Sequence, residues 1–354
     1  MIKTRISEID ALRGIACIMV VLHHFGKLSL VNDFGSNMGW MGVDLFFIIS
    51  GLVISLTIKN NTNWKYFLIN RFSRLFPAYW ICLIISTLSI VVFYNFLNDS
   101  ILSENPPGFP LVKLFLANFT MLQYYLDLAD IDGSYWTLII ELLFYVFIFL
   151  FLFLKKKHLL ELIGGVCLLL PLAMGIAYKE NIFAVYAKKA NGLVPLIVYF
   201  PLFYSGIIFY KIKLEEKTLM RWLLLFFCFC IQLFLFGEFY GVDNYTINQF
   251  IEYALLLTLI YLTFILFVYD KLKFIANKYT IFIGNISYCI YLIHQTLGLH
   301  ILLPFMHNYL SINFWVSSFF TFFIIVLISY LINKYIETPS ILYFRKKLQK
   351  LNPS

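Results

Sequence analysis

Ten apolar runs of roughly 17 to 25 residues follow one another with only short polar or charged links between them, near 9–26, 39–58, 75–97, 137–154, 159–178, 192–211, 219–237, 248–269, 279–302 and 313–334. That pattern restricts the chain more than any other feature, because a water-soluble fold could not keep so many separate apolar runs from aggregating. The 354 residues are 61% hydrophobic and 13% charged, against about 25% charged in an ordinary soluble domain. The expectation is therefore an all-α, polytopic transmembrane helix bundle of about ten spans. One longer link, 98–136, holds Pro106, Pro107, Gly108 and Pro110, the acids Asp127, Asp130 and Asp132, and an apolar piece, 111–126, that is too short to span and reads as interfacial or re-entrant.

Basic residues set the expected orientation, since short loops rich in Lys and Arg stay cytoplasmic. With the N-terminus inside, twenty Lys and Arg residues fall on one side and five on the other, while Arg13 and Lys334 lie within spans. Both termini are thus expected in the cytoplasm, and the net charge of +8 is a topology signal and an attraction to anionic lipid rather than a sign of nucleic-acid binding. Met1–Ser7 is too short for a cleavable leader, so the first span is expected to remain as a signal anchor. The six cysteines all fall in apolar runs and suggest neither a disulfide framework nor a zinc site. No repeat or linker is visible, so 1–340 reads as one membrane domain and 341–354 as a basic cytoplasmic tail.

Charge inside an apolar helix is costly enough to be a functional candidate by default. In the first run, Arg13 and His24 are eleven residues apart, within about 20° of three full turns, and are separated by a rise of roughly 16 Å. Asp10 lies on the same face, fourteen residues from His24 and about 40° short of four turns. His23 is about 100° away and reads as a packing or interfacial residue. On the expected topology, His24, Asp44 and Glu141 come from three helices at similar depth in the outer half. A neutral imidazole fixed by a carboxylate is a general base for a hydroxyl, so His24 with Asp44 or Glu141 is the candidate catalytic group. The alternative is that these are polar residues tying helices together.

Ser134, Thr137, Glu141 and Tyr145 share one helical stripe, with Trp136 beside it either as part of the site or as an aromatic-belt residue. Ser287, Tyr291 and His294 form a second stripe that lines a pocket or simply packs. The stretch from Asn70 to Pro77 is expected to open the third helix with Arg71 and Arg74 on one face. Their guanidinium forks suit phosphate oxygens, or they are ordinary positive-inside charge. Arg13 adds a third guanidinium, so a phosphate-bearing donor could be held low while its reactive end reaches toward His24. Asp127, Asp130 and Asp132 are expected to solvate their loop rather than bind sugar hydroxyls.

These pieces together resemble the acyltransferase-3 family of integral membrane acyltransferases that modify surface polysaccharides. The resemblance rests on Asp10-Ala-Leu-Arg13-Gly with His24, on the run from Gly42 through Asp44 to Gly51, and on Arg71, Arg74 and Pro77. It continues through Ser134-Tyr-Trp136-Thr137 with Glu141 and Tyr145, Ile286-Ser287-Tyr288 with Tyr291 and His294, and Tyr335-Ile-Glu337 with Pro339. It implies acyl transfer from cytoplasmic acyl-CoA, usually acetyl-CoA, used as co-substrate with no permanently bound cofactor. The acceptor would be a hydroxyl of a cell-surface glycan or lipid-linked sugar, and the location the inner or plasma membrane. On that comparison His24 and Arg13 are the essential first-helix residues, Arg71 and Arg74 donor-binding positions, and Glu141 and Glu337 family acids. Ser134, Trp136, Tyr145 and His294 are then candidates for acceptor binding. Some family members carry a further extracytoplasmic hydrolase-like domain, so any such domain needed here is expected on a separate protein. The competing readings are a transporter using the buried charges as a proton or ion relay, which would show flux without CoA dependence, and a non-enzymatic scaffold, which would tolerate loss of His24.

Overall fold

The computed structural model describes residues 6–28, 39–93, 111–179, 183–239 and 247–351, and among them there is no strand. Ten helical stretches are long and apolar enough to cross a membrane: Ser7–Gly26, Gly39–Lys59, Trp64–Val92, Trp136–Phe153, Lys157–Lys179, Leu196–Leu214, Leu219–Phe236, Ile247–Val268, Lys278–Tyr309 and Phe314–Leu348. The expected helix-bundle class holds. The prolines of the long link, at 106, 107 and 110, lie outside the described residues, as do 1–5 and 352–354.

The helices used below are α1 (Ser7–Leu28), α2 (Gly42–Asn60), α3 (Trp64–Val92), α4 (Leu111–Phe119), α5 (Trp136–Phe153), α6 (Leu160–Cys167), α7 (Leu169–Lys179), α8 (Ala184–Leu193), α9 (Leu196–Leu214), α10 (Leu219–Phe239), α11 (Ile247–Val268), α12 (Lys278–Ile293), α13 (Phe314–Ile332) and α14 (Thr338–Leu351). The third helix differs from expectation. It begins at Trp64, so Asn70, Arg71 and Arg74 lie two to three turns inside it and Pro77 sits within the helix rather than near its start. A proline is tolerated there because neighbouring groups in a bundle can re-satisfy the carbonyl it frees.

The chain divides into two compact units, Met1–Ala16 with Trp40–Phe67 and Ile140–Ile281, and Cys17–Gly39 with Leu68–Ile139 and Phe282–Ser354. In the first, α2 and α9 cross so closely that their backbones touch. A Cβ on Gly51 would lie 1.9 Å from the Phe203 carbonyl oxygen, and one on Gly206 would lie 2.0 Å from that of Ile48. Small residues are what let helices approach this way where no water drives them together. Phe203 packs beside the crossing on Phe47 and Phe144, with ring centroids 4.7 and 4.3 Å away. At one end of this unit Glu161 takes a two-bond fork from Arg221, at 2.8 and 3.0 Å, and an ion pair with Lys211 at 2.9 Å.

In the second unit, the apolar piece 111–126 becomes α4 and a short 3-10 turn, Gln123–Leu126. It is fastened by polar groups rather than by length. Tyr79 donates to the Asn118 carbonyl at 2.6 Å and Trp80 to that of Phe119 at 3.1 Å. The Asn118 side chain is fully buried, donates to the carbonyls of Leu114 and Ala129, and accepts from the Ile131 N–H.

Gly51→Ala and Gly206→Ala should each lower the melting temperature of detergent-solubilised protein, by an overpacking cost of about 1–3 kcal/mol. Unchanged melting in both variants would show that the α2–α9 crossing has slack.

Candidate functional site

The histidines lie in the second unit, where α12 gives way to a wider π-helical stretch, His294–Leu302. Ile293, at the junction, departs from helical geometry with φ −124° and ψ −3°. Such wide turns inside helices are frequently found at functional sites. His294 is completely buried, and its Nδ1 lies 2.7 Å from the Tyr291 carbonyl oxygen. A carbonyl can only accept, so Nδ1 carries the hydrogen, and in the neutral ring Nε2 presents its lone pair. That Nε2 is buried with no hydrogen-bond partner among the described residues. The His24 ring lies beside it, with centroids 5.2 Å apart and planes inclined by 53°. Gln295, the next residue along, places its side-chain Nε2 3.1 Å from His24 Nε2. With the amide oriented this way, Gln295 donates and His24 accepts, which puts the His24 hydrogen on Nδ1. His23 packs behind, its Cβ against Gly39, in keeping with a packing role.

One carboxylate staples the loop before α5 to the first turn of the wide stretch. Asp132 Oδ1 accepts the Ser134 N–H at 3.0 Å and the Ser134 hydroxyl at 2.6 Å, and Oδ2 accepts the Thr296 N–H at 2.8 Å. The Thr296 hydroxyl donates back to the Ile131 carbonyl at 2.6 Å. Thr137 donates to the Ser134 carbonyl at 3.0 Å and lies 3.1 Å from the Tyr291 hydroxyl, which must therefore be the donor in that pair. Asp132 is thus a correction to the expected solvating acid: it is fully buried, whereas Asp127 is exposed and Asp130 takes a bond from Gln123 at 2.6 Å. The sequence did carry a signal for its local bond, since an Asp before Gly is suited to an Asx turn, in which the carboxylate accepts the backbone N–H two residues on. Gln295 had none.

The other candidates fall as follows. Asp44 is 1% exposed and accepts from the Tyr253 hydroxyl at 3.2 Å, under Trp40, whose ring stacks on Tyr253. Glu141 accepts from the Ser50 hydroxyl at 3.0 Å and from the Tyr145 hydroxyl. Arg13 pairs with Asp10 at 3.7 Å, one turn away on α1. Those groups belong to the first unit. In the second, Arg71 is buried and Arg74 half-buried, one turn apart in α3, and Trp136 is 37% exposed at the first position of α5. The Ser134–Tyr145 stripe therefore divides its bonding, Ser134 and Thr137 with Asp132 and Tyr291, Tyr145 with Glu141. Glu337, a family acid by resemblance, is buried and accepts from Asn333 at 2.8 Å.

Residues 6–334 match the family model of an acyltransferase domain, and the chain belongs to that acyltransferase-3 family. With its ten apolar helices it is a multi-pass membrane protein. It is 30% identical over 194 residues to the peptidoglycan O-acetyltransferase OatA of Listeria monocytogenes, 49% of this chain but only 29% of that protein. It is 32% identical over 148 residues to an O-acetyl transferase of Shigella phage Sf6, 39% of this chain and 43% of the relative. ORF330 of Acidianus two-tailed virus, named only as a candidate acetyltransferase, is 23% identical over 297 residues, 81% of this chain and 82% of its own. The chain thus spans less than half the length of the first two of these relatives. No solved structure matches it.

Burial pushes the Asp132 carboxyl up to about 6, against the opposing hydrogen bonds from Ser134 and Thr296 and the charge of His300. A carboxyl raised on folding contributes stability that is complete below its ordinary value, near 4, and is lost as pH rises through about 6. The wild-type protein should therefore lose on the order of 3 kcal/mol between pH 4 and 7.5 that Asp132→Asn does not lose. Melting curves of the two across that range check it, and parallel curves would contradict it.

Proposed function

We propose that this chain is a membrane O-acetyltransferase that moves an acetyl group from cytoplasmic acetyl-CoA to a hydroxyl of a cell-surface glycan or its lipid-linked precursor. The observation that carries the reading is His24, an imidazole in an apolar helix with its Nε2 against a side-chain amide and a second imidazole beside it. The family and the O-acetyltransferase names of the relatives support the choice of acetyl as the group moved. The peptidoglycan named for one relative supports a glycan acceptor.

In the proposed reaction His24 takes the acceptor hydroxyl's proton as the oxygen attacks the thioester carbonyl. The new ester C–O bond forms, the C–S bond breaks, and the departing thiolate receives the proton from the imidazolium. The same imidazole can instead take the acyl group first and pass it on, with the proton and the thiol released in the same balance. Arg13, Arg71 and Arg74 are the groups suited to the donor's phosphates, which guanidinium forks bind by paired hydrogen bonds. Use of a cytoplasmic donor requires both termini on the cytoplasmic side, the orientation the basic loops favour. Asp44 and Glu141 are kept as supporting acids, and Ser134, Trp136, Tyr145 and His294 as acceptor-side groups.

Transfer from labelled acetyl-CoA is the test, using His24→Ala and Arg13→Ala proteins that insert and melt as the wild type does. His24→Ala should lose about a hundredfold or more in turnover, and Arg13→Ala should chiefly raise the KM for the donor. Wild-type turnover in His24→Ala would sink the reading.

A further inference from the structure

We infer that Gln295 is the positioning residue for His24, aimed at it by the Asp132 staple and by the absence of a side chain at Gly133. The inference rests on His24 being the reacting imidazole. Three independent contacts support it. Gln295 Nε2 is 3.1 Å from His24 Nε2, the ring nitrogen whose lone pair would take the proton or the acyl group. The backbone one residue beyond it, at Thr296, is held from two sides, by Asp132 on its N–H and by its own hydroxyl on the Ile131 carbonyl. A Cβ at position 133 would fall 2.2 Å from Gln295 Oε1, so only glycine there leaves the amide where it is.

The chemistry follows from what an amide can and cannot do. It does not titrate, so it holds the imidazole ring in one orientation and one tautomer without bringing a charge into an apolar span. By donating to Nε2 it favours neutral His24 over the imidazolium, so the lone pair stays available at lower pH. When the acceptor hydroxyl arrives, it replaces the amide as the donor at Nε2, and the ring is already oriented to receive its proton. Asp132 acts one step further back, fixing the backbone that carries His294 and Gln295.

Three variants separate this role from a structural one, each read by steady-state acetyl transfer with melting as the folding control. Gln295→Leu should lower kcat about a hundredfold, the cost of a misplaced reacting group, leave the KM for acetyl-CoA unchanged, and move the acid limb of the kcat/KM profile to higher pH. Gly133→Ala, which keeps the glutamine but displaces its amide, should show the same limb shift and a partial loss of kcat. The double variant should be no worse than Gln295→Leu alone, because both act through one contact. Should Gln295→Leu not be recovered folded, Gln295→Glu gives the same reading, since a carboxylate against Nε2 raises the limb further still. A wild-type acid limb in Gln295→Leu or Gln295→Glu, or losses in the double variant that simply multiply, overturns the inference. Wild-type turnover in His24→Ala would instead overturn the reading of function on which it rests, so the two failures are distinguishable.

Discussion

The three hydrogen bonds accepted by Asp132 govern what the second unit can do. A buried carboxylate is expensive unless its lone pairs are filled, and here they are filled by one side chain and two backbone N–H groups. The two ends of that staple are a loop with no regular structure of its own and a helix that has abandoned its normal hydrogen bonding. Neither would hold a defined path alone. Joined, they fix the stretch from which His294 and Gln295 project, and with it the immediate surroundings of His24.

The same economy runs through the charges of the first unit. Glu161 is held by Arg221 and Lys211, Glu141 by two hydroxyls, and Asp44 by Tyr253. Glu161, near the start of its helix, is met by cations, whereas Asp44, in the first turn of α2, and Glu141, in the second turn of α5, each accept from hydroxyls. Hydroxyls stabilise a carboxylate without requiring a second ion to leave water, which lowers the desolvation cost of keeping an acid there.

Much of this was legible in the sequence, for reasons that differ from element to element. The spans were readable because twenty apolar residues in a row have few alternatives. The first turns of α3 were not, because Trp64–Arg74 mixes Lys65, Asn70, Arg71 and Arg74 into a helical stretch that a hydropathy reading discards, and Pro77 looked like a beginning. Arg13 and His24 could be placed on one helix because a regular helix fixes their spacing. Gln295 could not be placed against His24, since that contact depends on a departure from regular helix at Ile293 that no residue pattern announces. Asp132 was misjudged because its turn sequence marks only the local bonds to Ser134, and the tertiary donor at Thr296 is what distinguishes the buried acid from its neighbours.

The wide stretch His294–Leu302 also sets how this part of the chain responds to a change of length. A helix bonded i→i+5 accommodates one residue more than the ordinary i→i+4 ladder over the same path. Deleting a single residue there would let the ladder close normally and leave the helix beyond it on its path, whereas the same deletion in a regular helix turns everything beyond it by about 100°. Loss of one residue here would therefore re-aim the side chains of the wide stretch itself, His294 and Gln295 among them, while the helix face beyond it stays the same.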